Sequence, residues 1–368
     1  MTKKILIAAA VCSVLAAALY EGIPMLLKNR IVGRLVDAVY LPGTDGAGIL
    51  CILTDGSWSF FSKYQSAGRQ VQGRKGIFCK THLYRYDPLN RRILARKTVK
   101  YEQLPPPAVL LLAGDNLWEI STDPDRLPVR AMAFRLRDGE RLIDSTQFYA
   151  HFAGPGISIR RQRLHPHPPY YLSITTEDDR NMVIDLASGS KAADLAALLA
   201  PQKGTIDRFA LADPEGGPRR RLWRIAGGDW RLYETSIPER AFGDLSYFAR
   251  HFNAAAEAIA PAQYFWEGIL VYQDDDQAVI LHQEETTPDA DRRLTCIGGN
   301  GRIRWSLAQA QLFPGLALRQ KKPFSSDFFV QSRIRIKKNG DVMLIVFEPE
   351  GLIGIDAASG RELWRHVF

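Results

Sequence analysis

Residues Gly351–Phe368 read G-L-I-G-I-D-A-A-S-G-R-E-L-W-R-H-V-F. An apolar run, Leu352 to Ile355, leads into Asp-Ala-Ala-Ser-Gly, and a second extended segment follows with Trp364 as its large apolar residue. Asp356 is placed to accept hydrogen bonds from the turn backbone, and Gly360 supplies the positive φ that such a turn needs. This is one strand–turn–strand unit, and weaker copies lie upstream. Gly76 to Tyr86, a turn at Asp87-Pro88-Leu89-Asn90 and Arg92 to Val99 form the first. Tyr170 to Thr175, Asn181 to Ile184 and the turn Asp185 to Gly189 form another, and Cys296 to Trp305 places Gly301 and Trp305 where Gly360 and Trp364 stand.

The turn aspartates Asp87 and Asp185 lie 98 residues apart, close to twice 49, and Asp185 and Asp356 lie 171 apart, compatible with four imperfect units. A period of roughly 40 to 50 residues with several strands per unit predicts a β-propeller, in which four-stranded blades bury their faces on one another around an axis. The expected fold class is therefore all-β: a propeller over 31–368 with six to eight blades, seven being the expectation from chain length. A pair of β-sandwiches is the alternative. Hairpins are expected around Thr54-Asp55-Gly56-Ser57, Gly114-Asp115-Asn116, Gly227-Gly228-Asp229 (with a strand over Trp230 to Thr235) and Asp274-Asp275-Asp276. Two helices interrupt the β pattern. One spans Ser190 to Ala200, and the other runs from Asp244 as N-cap to Ala260, with Leu245, Phe248 and Phe252 on one side.

The N-terminus carries Lys3-Lys4 and then an apolar segment, Ile5 to Tyr20, which Gly22 to Leu27 extend. Residues 1–30 are thus expected to be a hydrophobic helix, either a secretory signal peptide or an uncleaved membrane anchor. Both readings put the rest of the chain outside the cytoplasm. Apolar residues make up 46% and charged residues 24% of the 368, an ordinary globular balance that allows a large core. The net charge of +8 is spread over pairs such as Arg160-Arg161 and Lys337-Lys338, with one triplet, Arg219 to Arg221. Such scatter argues against nucleic acid as the partner and for simple solubility or attraction to an anionic membrane surface. None of the four cysteines (Cys12, Cys51, Cys79, Cys296) forms a C-x-x-C pair, which removes zinc-ribbon and thioredoxin-type sites. Cys51 and Cys79 could pair in an oxidising compartment, or all three beyond Cys12 serve as small buried apolar residues.

Candidate chemistry is sparse. His165-Pro166-His167 sets two imidazoles two residues apart with no local third ligand. Asp274 to Asp276 and Glu177 to Asp179 resemble fragments of calcium loops but sit where turns are expected. No G-x-S-x-G, H-E-x-x-H, P-loop or G-x-G-x-x-G is present. No cofactor is therefore expected.

The pattern of apolar run, Asp, two residues, Ser/Thr/Asn, Gly, three residues, Trp resembles the repeat of PQQ-like β-propellers. Asp356, Ser359, Gly360 and Trp364 match it fully, and Gly301 with Trp305 in part. Asp185, Ser188 and Gly189 match without the Trp, and Asp87 and Asn90 match with Arg91 in the glycine's place. The resemblance implies the scaffold. The vicinal cysteine pair expected of the quinone enzymes is missing, which argues against their cofactor, and non-enzymatic relatives include envelope binding scaffolds. The expectation is a non-catalytic extracytoplasmic scaffold of the bacterial envelope that binds another envelope protein. Tyr247, Phe248, Arg250 and His251 on the second helix, and His165 and His167 in the proline-rich loop, are the candidate contacts. The alternatives are a quinone-type oxidoreductase or hydrolase at the central channel, and a ligand- or carbohydrate-binding sensor module.

Overall fold

The computed structural model describes residues 30–368 except 44–47, 61–62, 67–68, 73–75, 102–107, 122–129, 137–138, 166–169, 200–204, 230, 235–236, 260–262, 286–290, 313–333 and 349, with side chains omitted at 57–79, 100–101 and 233–234. The expected N-terminal helix lies outside these residues. Among them, no helix is long and apolar enough to cross a membrane.

Strands dominate, and they associate in chain order. The first sheet joins β1 (Arg34–Leu41), β2 (Ile49–Phe60), β5 (Gly76–Asp87) and β6 (Arg92–Tyr101), while β3 (Lys63–Ser66) and β4 (Arg69–Gln72) pair as a separate hairpin. The second holds β7 (Ala108–Ala113), β8 (Asn116–Ser121), β9 (Ala131–Arg135) and β10 (Arg141–Ile143). The third holds β11 (Ile159–Leu164), β12 (Tyr171–Thr176), β13 (Asn181–Asp185) and β14 (Lys191–Ala192). A seven-stranded sheet then splits into two units. β15 (Ile206–Ala212), β16 (Arg219–Gly228) and β17 (Ala255–Ile259) form one, and β18 (Phe265–Gln273), β19 (Gln277–Gln283), β20 (Arg292–Gly298) and β21 (Ile303–Ala308) form the other. Only Arg219 and Arg220, paired with Trp266 and Phe265, join them. β22 (Ile334–Asn339), β23 (Val342–Phe347), β24 (Gly351–Asp356) and β25 (Glu362–Val367) complete the set. The fold is a β-propeller, with six blades among the described residues, at the lower end of the expected range.

The apolar patterning explains this arrangement. A strand inside a stacked blade is covered on both faces, so β19 (Q-A-V-I-L-H-Q) is buried along its whole length and β23 (V-M-L-I-V-F) almost so, instead of alternating. Shared cores fill the seams between blades 1 and 2, 2 and 3, 4 and 5, and 5 and 6. A further core packs Leu344, Val346, Leu352 and Trp364 of blade 6 against Leu35, Tyr40, Leu50, Ile52 and Tyr84 of blade 1, which closes the ring and removes the sandwich alternative.

The repeat residues do what their pattern implies. Asp356 Oδ1 accepts from the Ser359 amide at 2.7 Å, and Gly360 donates its amide to the Asp356 carbonyl with φ +72°. Asp185 makes the same turn with Ala187 and Ser188, closed by Gly189. Asp87 accepts from the amides of Leu89 and Asn90, and Arg91 takes the left-handed conformation in the glycine's place, φ +52°. Gly301 is likewise left-handed, φ +78°. Trp305 sits on the next blade's turn: its indole donates to the Ala357 carbonyl at 3.1 Å, and a Cβ on Gly360 would stand 2.6 Å from that of Trp305. Trp364 lies at the ring seam, 6.0 Å from Tyr40 between ring centroids.

Four expectations need correction. Thr54–Ser57 is no turn: β2 runs straight through it, paired residue for residue with β5 from Leu50–Tyr86 to Phe60–Gly76, so a long partner strand overrides the local turn signal. The strand expected over Trp230–Thr235 gives way to a helical turn at Arg231–Glu234, Trp230 and Thr235 lying outside the described residues. The helix expected over 244–260 is only Ser246–Phe252. Asn253 turns left-handed at φ +52°, and Ala255–Ile259 then pairs along Leu222–Ala226 as β17. Satisfying the backbone of β16 outweighs the helix preference of Ala254-Ala255-Ala256. The cap residue is Leu245, while Asp244 holds Ser246 and Arg250 from one residue upstream. The other helix shrinks to Leu195–Leu199, because Lys191–Ala192 joins blade 3.

The turn docking predicts a contrast between two glycines. Gly189→Ala meets no neighbour and should cost only the left-handed strain, about 1–2 kcal/mol. Gly360→Ala adds the collision with Trp305 and should cost at least about 2 kcal/mol more. Urea unfolding of both variants checks this; equal losses would mean that Trp305 does not rest on the turn.

Candidate functional site

The edge strands β1, β7 and β22 of blades 1, 2 and 6 lie side by side, and a charged cluster sits among them. Asp37 interrupts the apolar strand L-V-D-A-V-Y and is 0% exposed. Its Oδ1 accepts from the Ala38 amide and its Oδ2 from the Leu110 amide, each at 2.8 Å. Lys337 brings its ammonium to Asp37 Oδ2 at 2.5 Å and donates to the carbonyls of Ala38 at 2.9 Å and Leu110 at 2.5 Å. Arg335 stands 3.7 Å from Asp37 Oδ1, pairs with Glu348 at 3.1 Å and donates to the Val36 carbonyl. Asn339 donates to the Tyr40 carbonyl at 3.0 Å.

Three blades therefore meet on one ion pair. Burial pulls the Lys337 ammonium down to about 8 against the opposing attraction of Asp37. A lowered lysine in a propeller's centre suggests nucleophilic chemistry. The geometry argues otherwise: all three N–H directions are taken by Asp37 and two carbonyls, so the amine has no free lone pair to present without opening the seam.

Beside this cluster lies a cavity of about 290 Å³, with Val39, Leu111 and Leu112 on its apolar side and Tyr170, Lys338 and Asn339 on its polar side. Burial, with the charge of Asp37 second, pushes the Tyr170 hydroxyl up to about 12, so it stays a neutral donor. Lys338 pairs with Asp274 at 2.9 Å. Burial alone would raise the Asp274 carboxyl, but Lys338, the Asp276 amide and the Tyr272 hydroxyl outweigh it and hold it low. Its Oδ1 also accepts from the Gln277 amide, and Asp276 pairs with Arg304 at 2.6 Å. The Asp274–Asp276 stretch thus serves as a turn and ion-pair anchor. Among the described residues, no cluster of three or more His, Cys, Asp or Glu could hold a metal.

The expected contact residues fall into different environments. Phe248 is 0% exposed, packed with Phe252, Phe242 and Trp223, so it anchors the helix and offers no surface. Tyr247 is half-buried and stacks on the exposed His251, ring centroids 4.1 Å apart. Arg250 is exposed and paired with Asp244 at 2.7 Å. His165 is buried, its Nε2 2.9 Å from Ser173 Oγ. His167 lies outside the described residues. Cys51 and Cys296 are free and buried, and burial pushes both thiols up to about 12, which makes them inert. Sequence reasoning passed over Asp37 and Lys337, although a lone carboxylate within an apolar strand was the available signal.

Similar solved structures include the β-propeller domain of Myceliophteria thermophila Cps50 (Swd1), at 10% identity and TM-score 0.30 over 92% of this chain and 87% of that one. Saccharomyces cerevisiae Sqt1 matches at 8% identity and TM-score 0.24 over 90% and 85%, and the computationally designed Ika8 protein at 12% and 0.26 over 91% and 87%. No protein-family model and no curated protein matches the chain. At these values the neighbours say nothing of function.

Buried histidines give the molecule a defined acid limit. Burial, with Arg96 and Lys80 behind it, drives His82 down to about 4, and burial also lowers His165, His282 and His366. The unfolded chain takes up these protons near pH 6.5 and the folded chain does so only at lower pH, so stability is full above 6.5 and falls as pH drops from there toward 4. The turn carboxylates Asp87, Asp274 and Asp356 are held below their ordinary values and stay ionised over the upper part of that window. Thermal melts should fall by several degrees, roughly 5 °C, between pH 7.5 and 5.0, and His82→Gln should flatten the slope. A pH-independent melting temperature would contradict the buried neutral histidines.

Proposed function

We propose that this protein is a non-catalytic binding scaffold whose propeller presents its surface to another protein. One observation carries the reading: the titratable groups at the meeting of blades 1, 2 and 6 are occupied in holding the ring, with Lys337 donating all three of its protons and Asp37 accepting on both oxygens. A centre committed to cohesion leaves the outer surface for recognition, and propellers with rigid rims suit that role. The charged, apolar N-terminal pattern supports an extracytoplasmic, envelope-tethered setting in which the partner is another envelope protein. The Asp-x-x-Ser-Gly turns and the Trp305 contact support kinship with PQQ-like repeats, and the missing vicinal cysteines favour a member without the quinone. The exposed Arg250, His251 and Tyr247 edge on the helix Ser246–Phe252 is one contact surface in this reading.

A second reading, a small-ligand sensor, is favoured by the cavity beside Tyr170 and Lys338. Crosslinked capture of the tagged full-length chain from native membranes, read by mass spectrometry, separates the two. We expect a reproducible envelope protein whose yield falls several-fold, roughly fivefold, in Tyr247→Ala/Arg250→Glu/His251→Ala. A copurifying small molecule with no protein partner would overturn the scaffold reading.

A further inference from the structure

The arginine triplet 219–221 finds a structural meaning at the junction of blades 4 and 5. Arg219 and Arg221 fall on the same face of β16, two residues apart, opposite Trp266 and next to Tyr264. The Arg219 guanidinium lies over the Tyr264 ring, 3.6 Å from its centroid, and 5.8 Å from that of Trp266. Arg221 approaches the same Tyr264 ring at 4.7 Å and donates to its hydroxyl. Two cations thus crowd one aromatic ring.

The nearby charges do not neutralise them. Arg220 projects to the other face, where it pairs with Glu239 at 3.1 Å and donates to the Gly268 carbonyl. Glu267, one residue beyond Trp266, lies within electrostatic reach of Arg292, where burial lowers the guanidinium against the opposing attraction of Glu267. Asp213, in the hairpin that leads into β16, accepts from the amides of Glu215 and Gly217. Among the described residues no carboxylate pairs with Arg219 or Arg221. Stacking uses the face of the Arg219 guanidinium and leaves its N–H edge for a planar, bidentate acceptor, while Arg221 keeps further N–H groups beside the one that it gives to the Tyr264 hydroxyl. The flanking Tyr and Trp are half-buried, so the site offers pre-ordered aromatic area with fixed donors, the composition of interface hot spots.

We infer that Arg219, Arg221, Tyr264 and Trp266 form a docking platform for an acidic segment of a partner protein, its carboxylates gripping the two guanidinium edges. The inference rests on the scaffold reading and names the partner's chemistry. Protein is favoured over nucleic acid because the cations are two fixed, ring-stacked groups at one seam, with the chain's other basic residues scattered, where a phosphate backbone calls for an extended basic track.

The test uses the purified chain and a fluorescein-labelled twelve-residue Asp/Glu peptide, with anisotropy as readout. We expect saturable binding that weakens with salt and falls at least about tenfold in Arg219→Glu/Arg221→Glu. Arg219→Lys/Arg221→Lys, which keeps the charge and loses the fork, should fall between. Arg141→Glu/Arg302→Glu, an equal charge change at other exposed arginines, should bind as the parent does. Unchanged circular dichroism and melting temperature confirm that the variants are folded; should the glutamate pair unfold, Arg219→Gln/Arg221→Gln takes its place. No binding, an equal loss in the control pair, or equally tight and equally sensitive binding of a single-stranded DNA twelve-mer overturns the platform. Capture of the membrane partner at full yield by Arg219→Glu/Arg221→Glu also overturns it while leaving the scaffold reading intact. Failure to capture any partner removes the scaffold reading, and the peptide titration still decides the platform.

Discussion

Everything in this propeller depends on how its last blade meets its first. Each described blade takes its strands in chain order, with β3 and β4 set aside from blade 1 as their own hairpin, and among the described residues β22 to β25 make up blade 6 with no strand from the N-terminal side. Among the described residues no sheet is shared between blades 6 and 1. The ring is shut by packing, with Trp364, Val346 and Leu352 against Tyr40, Leu50 and Ile52, and by one buried ion pair. Removing two charges from water is costly, and a buried pair repays that cost only when its remaining donors and acceptors are met. Here they are met: Asp37 accepts two amides besides Lys337, and Lys337 donates to two carbonyls besides Asp37. Packing alone tolerates sliding of one sheet on another. The fixed directions of these bonds set the register of blades 6, 1 and 2.

Farther out, the Asp-x-x-Ser-Gly turn links local and global order. Its aspartate shapes the turn and its glycine permits the left-handed backbone, and in blade 6 its surface receives Trp305 of the preceding blade. At Gly360 the sequence constraint is both conformational and steric, since Trp305 occupies the space where a side chain would go. At Gly189 only the conformational part holds.

Much of this was legible in the residues. The turn aspartates, the period between them and the strand–turn–strand units point to a propeller without any coordinates. What failed to read out were outcomes decided by distant partners. Ala254 to Ala256 look helical until β16 is present to pair with them, and Thr54–Ser57 looks like a turn until β5 lies alongside. Lys337 looks like one member of a solvated basic pair, because its partners Asp37 and Leu110 are 300 and 227 residues away. The contact residues divided in the same way. Phe248 carries the helix's apolar face into the core, while Arg250 and His251 stay on the surface, as their spacing on the helix requires.

The functional picture follows from that division of labour. The buried ion pair of Asp37 and Lys337 braces the ring, while Arg219 and Arg221, which pair with no carboxylate among the described residues, lie at a seam between blades. A double-mutant cycle on the ion pair tests this most directly, using urea unfolding of Asp37→Asn, Lys337→Met and the pair. Each single change should cost about 3–5 kcal/mol by leaving a buried charge unpaired, and the double should cost far less than their sum. Single losses below about 1 kcal/mol that simply add would show that the ring closes without this pair.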